Sequence, residues 1–294
     1  SPDAEYPLVN TEKGRFPGHF TAGFEASDAL PRLVSIKAGT KVNVVPGKAK
    51  AAVEGFEMAA LEKAAAETKE ETGISFELAA EGTVTEITAT GIGAHASTPD
   101  VGNNALTGLL VFLGKLDFAS CPQVDMVRKT ASLFPHGDVN GKTLGVAMED
   151  ELSGNLTLSF NMLSVDAASM DGEFDGRIPV CGNDENVLEV VRARMAEQGL
   201  TLLNKALIPP HHVSADSYFV KTLLAAFELY TGRKGECQAL GGGTYVHHLE
   251  NGVAFGAAMP ETDNKMHGPD EFAVVDELLV SAKIFAQAIV DLCG

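Results

Sequence analysis

Cysteine is sparse. Cys121, Cys181, Cys237 and Cys293 stand far apart in 294 residues, with no CxxC pairing. That excludes a zinc ribbon and a disulfide framework, and it suits reduced thiols in the cytoplasm. Basic residues are also scarce: 22 Lys and Arg face 40 Asp and Glu, a formal charge of −18. So acidic a chain repels nucleic acid and anionic membrane surfaces, so neither is expected as a partner. No apolar run approaches the roughly 20 residues of a membrane span. The polar opening with Asp3 and Glu5 does not read as a secretory leader, and the missing initiator methionine reads as a trimmed product. The triple glycine at 241–243 lacks the GxxxxGK[ST] and GxGxxG spacings, which sets nucleotide loops aside. What remains is the composition of a soluble globular protein, 45% hydrophobic and 21% charged.

The pattern along the chain is α/β. Residues 1–14 read as an extended entry segment. Strands are expected at 20–27, within 32–48 around a Gly39 turn, at 74–78 and at 83–91. The segment 56–72 is rich in helix formers and stops at Gly73. An apolar helix is expected over 103–116. A second set follows: helix 123–133, strands 155–163 and 169–180, helix 185–198 and strand 201–208. This predicts two related α/β subunits over 15–210, ended by Pro209-Pro210. Beyond them come a helix over 214–230 capped by Ser214 or Asp216, a glycine loop, a buried strand at 253–259 and a terminal helix near 274–292. In that last helix Val275, Leu278, Leu279, Ala282, Phe285, Ala286 and Ile289 follow the spacing of a packed face.

Several residues could carry chemistry. His267 lies in a loop before Gly268-Pro269, and Asp3 lies between Pro2 and Ala4; an imidazole and a carboxylate are both zinc-ligand types. His95 sits in Gly91-Ile92-Gly93-Ala94-His95-Ala96-Ser97-Thr98-Pro99, a polar turn between strand and helix. Asn43 precedes Val44-Val45-Pro46, and Arg177 precedes Ile178-Pro179. Gly241, Gly242, Gly243 and Thr244 precede a short helix, where backbone N–H groups can face an anion. Glu70-Glu71 ends an exposed helix and reads as a solvated face. His247 and His248 diverge by about 100° on a helix, so they cannot easily serve one metal. They read as structural, as do His19, His136, His211 and His212.

Together the opening SPDAEYP, the GAHAS-P string and the C-terminal GGGTY and KMHGPD stretches resemble the PepV-type dipeptidases. Those enzymes belong to a zinc metallopeptidase superfamily with carnosinases, aminoacylases and succinyl-diaminopimelate desuccinylase. The resemblance covers essentially all 294 residues. It implies a two-subunit lid over 15–210, inserted in an α/β catalytic domain of which only 1–14 and 211–294 are present. It implies a site with two zinc ions, in which Asp3 and His267 are ligands. His95 and Arg177 would stabilise the oxyanion, while Asn43 and the loop residues Gly241, Gly242, Gly243 and Thr244 would hold the dipeptide. The family's HxD motif, bridging Asp and general-base Glu pair are missing, so this chain alone is expected to be inactive. A separate chain or missing N-terminal segment would complete it. The alternatives are a non-catalytic fragment without a complete metal site, and an amidase or deacylase acting on N-acyl amino acids.

Overall fold

A computed structural model describes residues 1–2, 4–265 and 269–294. In chain order the elements begin with β1 (Ala4–Glu5), β2 (Leu8–Glu12), β3 (Gly14–Gly23), β4 (Arg32–Ala38), β5 (Val44–Val45), β6 (Lys48–Glu54) and α1 (Met58–Thr72). Next come β7 (Ser75–Glu81), β8 (Val84–Thr90), β9 (Ala94–His95), α2 (Ala105–Gly114), α3 (Pro122–Leu133), β10 (Glu149–Asp150) and β11 (Gly154–Asn155). The remainder is β12 (Thr157–Val165), β13 (Ser169–Ile178), α4 (Glu189–Glu197), β14 (Thr201–Leu202), β15 (His211–His212), α5 (Tyr218–Thr231), β16 (Cys237–Leu240), β17 (Ala257–Ala258) and α6 (Val275–Cys293). The chain divides into a small unit (Ser1–Gly14, Asp150–Gly154, Pro209–Gly294) and a large one (Arg15–Glu149, Asn155–Ile208). The sequence reading placed boundaries after 14 and after 210, and gave no sign of the excursion at Asp150–Gly154.

The large unit is built on one eight-stranded sheet, in the order β14-β3-β13-β12-β4-β6-β8-β7. Two related α/β subunits were expected over 15–210, and the sheet has two four-stranded halves. They join where Leu163, Ser164 and Val165 of β12 pair with Ala38, Lys37 and Ile36 of β4. Helix α1 ends where the sequence says it should: Gly73 is left-handed, φ 73°, and its N–H bonds Lys69 O. Asn104 caps α2, its side chain accepting from Leu106 N and Thr107 N. Phe16, Phe20, Phe134, Phe160 and Phe174 pack together in the core, with ring centroids as close as 4.4 Å. Each buried phenylalanine contributes about 1.5–3 kcal/mol. Glycine makes room for them: a Cβ on Gly18 would lie 2.0 Å from Phe174 Cζ. The expected strand over 201–208 shrinks to Thr201–Leu202, and helix 185–198 is a π-helical turn at Asp184–Leu188 followed by α4.

In the small unit β2 is the central strand, antiparallel to β15 and parallel to β16. All five of its residues are buried. Tyr6 stacks on Phe227 at 5.3 Å and meets Phe255 edge-on at 5.2 Å. The apolar run 253–259 is buried around Val253, Ala254 and Phe255, but only Ala257–Ala258 forms a strand, paired with β1. Helix α5 is capped by Ser217 rather than by Ser214 or Asp216. The largest departure is α6. Its buried residues are Ser281, Ile284 and Ala288, whereas Val275, Leu278, Leu279 and Ile289 are 47–68% exposed. Phe285 of the expected face does pack on this unit's core, edge-on to Phe255 at 5.6 Å. Among the described residues no helix is long and apolar enough to cross a membrane.

Candidate active site

In the large unit, β5 pairs with β9 so that Val44 lies opposite His95. The carbonyl of Asn43 accepts the N–H of Ala96 at 3.0 Å, which sets Asn43 beside the histidine. His95 Nδ1 accepts the Ser97 N–H at 3.1 Å and lies 2.6 Å from Ser97 Oγ. A ring nitrogen that accepts a backbone N–H carries no proton, so the proton of the neutral ring sits on Nε2. Burial pushes the His95 imidazole below its ordinary range. The charge of Arg177 pushes the same way, and Asp175 opposes it. The ring is therefore held neutral, with one N–H to offer.

Arg177 and Asp175 are two residues apart on β13, and hence on one face. Arg177 donates from Nε to Asp175 Oδ1 at 2.6 Å and from Nη2 to Oδ2 at 3.0 Å. Both side chains are 6% exposed. Burial pushes the Asp175 carboxyl up, while Arg177, His95 and Arg15 pull it down. The bidentate fork keeps the pair ionised at neutral pH. Across the ladder Thr157 lies opposite Arg177 and Ser159 opposite Asp175. Arg15 Nε, Thr157 Oγ1, Ser159 Oγ and Asn161 Oδ1 are buried polar atoms without a hydrogen-bond partner among the described residues. Asn161, at the bulge in β12, donates to Val42 O at 2.5 Å and so ties down the loop bearing Asn43. The large unit thus gathers Asn43, His95 and Arg177, and adds Asp175 and Asn161, which the sequence reading missed. The alternation Asp-x-Arg on a strand was a usable signal for the first. Nothing local signalled the second.

In the small unit the loop of Gly241, Gly242, Gly243 and Thr244 follows β16. The Thr244 N–H and Oγ–H both donate to Glu12 Oε1, at 3.0 and 2.7 Å. Glu12 Oε2 meets His247 Nδ1 at 2.8 Å, and His247 Nε2 meets Pro209 O at 2.7 Å. Both donors of Thr244 are therefore taken by a carboxylate of this chain. Asp3 and His267 lie outside the described residues. Among the described residues no group of three or more His, Cys, Asp and Glu side chains could hold a metal ion. These residues do not by themselves fit a zinc site.

The eight-stranded sheet and its helices define a mixed α/β fold. Over 99% of this chain and 64% of the other, it matches the crystal structure of aminoacylhistidine dipeptidase from Vibrio alginolyticus, with a TM-score of 0.52 at 12% identity. In sequence the chain is 34% identical over 297 residues to the Beta-Ala-Xaa dipeptidase of Lactobacillus delbrueckii subsp. lactis. It is also 34% identical over 299 residues to the putative dipeptidase YtjP of Bacillus subtilis (strain 168). Each alignment covers 99% of this chain, but the chain spans only 62% and 63% of those relatives' lengths. No family model matches.

Proposed function

We propose that this chain is the substrate-positioning part of a dipeptidase, a hydrolase that cleaves the peptide bond of dipeptides. The observation that carries the reading is the gathering of Asn43, His95 and Arg177 in the large unit of a chain similar along its length to curated dipeptidases. The neutral His95 ring donates Nε2–H to the scissile carbonyl oxygen, and that bond strengthens as negative charge develops there. Arg177, its fork fixed by Asp175, adds positive charge on the same side. Asn43 orients the substrate amide. The N–H groups of Gly241, Gly242 and Gly243 receive the terminal carboxylate, and Thr244 does not, because both its donors are engaged.

Two zinc ions with Asp3 and His267 as ligands rest on the family resemblance alone, and no step is assigned to them. A complementing polypeptide supplies the remaining ligands and the general base. The exposed apolar stripe on α6 supports such a partner. The test is hydrolysis of dipeptides by the 294-residue chain, alone and mixed with a polypeptide matching the rest of the relatives' length. The chain alone should be inactive and the mixture active. Robust hydrolysis by the chain alone would sink the divided site. Cleavage of N-acyl amino acids in preference to dipeptides would sink the substrate class.

A further inference from the structure

Glu12 is the last residue of the central strand β2, 1% exposed, and it stands three residues before Arg15, where the chain enters the large unit. Leu240, the last residue of β16, pairs with it in the ladder, and Leu240 O accepts the Lys13 N–H at 3.0 Å. The glycine loop that follows returns to the same residue, through the two Thr244 bonds to Oε1. One end of the loop is therefore fastened beside Glu12, through the Lys13 N–H, and the other to the Glu12 side chain. His247 closes the arrangement, between Glu12 Oε2 at 2.8 Å and the carbonyl of Pro209 at 2.7 Å.

Both ring nitrogens of His247 face oxygens. A carbonyl and a carboxylate only accept, so the ring must donate twice. His248 lies edge-on at 5.4 Å and His211 at 6.0 Å, with His211 Nε2 bonded to Gly252 O at 2.6 Å. Gly243 leaves the space the pair needs: a Cβ there would stand 3.2 Å from His247 Nδ1 and 3.5 Å from Glu12 Oε2.

The geometry points to Glu12 and His247 as positioning residues, a buried carboxylate–imidazolium pair that holds the glycine loop in the shape that receives the substrate carboxylate. This rests on the dipeptidase reading for what the loop binds, but not for the pair itself. Thr244 belongs to the clamp. The pair also joins three stretches distant in sequence: the end of β2, the loop, and Pro209, where the chain re-enters the small unit.

The pair is tested first in the 294-residue chain, by nitrogen–proton NMR of its histidine rings at neutral pH. One ring should show both nitrogens protonated. That pattern should vanish in His247→Gln and become a single neutral tautomer in Glu12→Gln, which keeps the size and the Thr244 acceptor. A neutral His247 ring in the unmodified chain overturns the proposal. The second measurement uses the reconstituted enzyme. Glu12→Gln should raise KM for a dipeptide about tenfold, the scale of one lost charged hydrogen bond, with kcat within about twofold. KM for the same dipeptide with an amidated C-terminus should not move. An unchanged dipeptide KM overturns the positioning role even where the ring is charged. Absence of hydrolysis in every form would count against the dipeptidase reading, and the ring spectrum would still decide the pair.

Discussion

Asp175→Ala removes the carboxylate that holds the Arg177 guanidinium inside the large unit. Both side chains are 6% exposed and joined by two short hydrogen bonds, so little water can take the carboxylate's place. Deleting one partner of such a pair costs about 3–5 kcal/mol. With a urea m-value near 2 kcal/mol per molar, the unfolding midpoint should fall by about 1.5–2.5 M. The chain offers a convenient separation of signals. It has no tryptophan, and its four tyrosines, Tyr6, Tyr218, Tyr230 and Tyr245, all lie in the small unit. Far-UV circular dichroism follows the large sheet, while tyrosine fluorescence follows the small unit. Asp175→Ala should move the first transition. Glu86→Ala, which breaks the half-exposed pair with Lys50, should cost under about 1 kcal/mol. An Asp175→Ala midpoint shift no larger than that of Glu86→Ala would refute the buried-pair argument. Joining Asp175→Leu to Arg177→Met should recover much of the loss, since apolar side chains of similar volume replace a buried pair at small cost.

In the reconstituted enzyme, His95→Ala should lower kcat by about 10²–10³ with a smaller change in KM, and wild-type kcat at saturating dipeptide would rule out the oxyanion role. Asn161→Ala should cost about 1–3 kcal/mol and quicken amide exchange around residues 41–43, because the buried anchor of that loop is gone. Burial holds the His136 and His95 rings below the ordinary 6.5. Their neutral forms therefore contribute stability that is complete above that value and is lost as pH falls through the lowered values. The large unit's urea midpoint should drop between about pH 7 and 5, and His136→Gln should flatten the drop; an equal slope in the variant would exclude His136 as its source.

The parts of the fold legible in the sequence are those fixed by neighbours along the chain. Gly73 ends α1 because only a left-handed residue closes that turn, and the alternation in TVTEITAT is the half-buried strand β8. Helix α6 shows the limit of periodicity. Its stripe of Val275, Leu278, Leu279 and Ile289 announces packing, yet periodicity does not say on what, and the side turned to this unit's core carries Ser281, Ile284 and Ala288 with Phe285 alongside. Of the proposed site, His95, Asn43 and Arg177 are proposed through a resemblance and a strand-end position. Glu12 and His247 were not readable in the sequence, because their pairing spans 235 residues and neither has a local partner that marks it. Each taken alone is an ordinary polar residue beside a loop.

The backbone of Arg15 and Ile208 is joined by two hydrogen bonds, N to O at 2.9 Å and back at 3.0 Å. These residues are the first and last of the large unit. The small unit needs β2 to find β15 and β16 across an intervening chain of about 190 residues, and closing so long a flexible loop costs about 4–5 kcal/mol in its length-dependent term. Once the large unit has folded, its two ends leave side by side, and that entropy has already been spent within its own core. The large unit then acts on the small one as the turn of a hairpin acts on its strands. With the large unit folded, the ladder of β2 with β15 and β16 closes over a short effective loop.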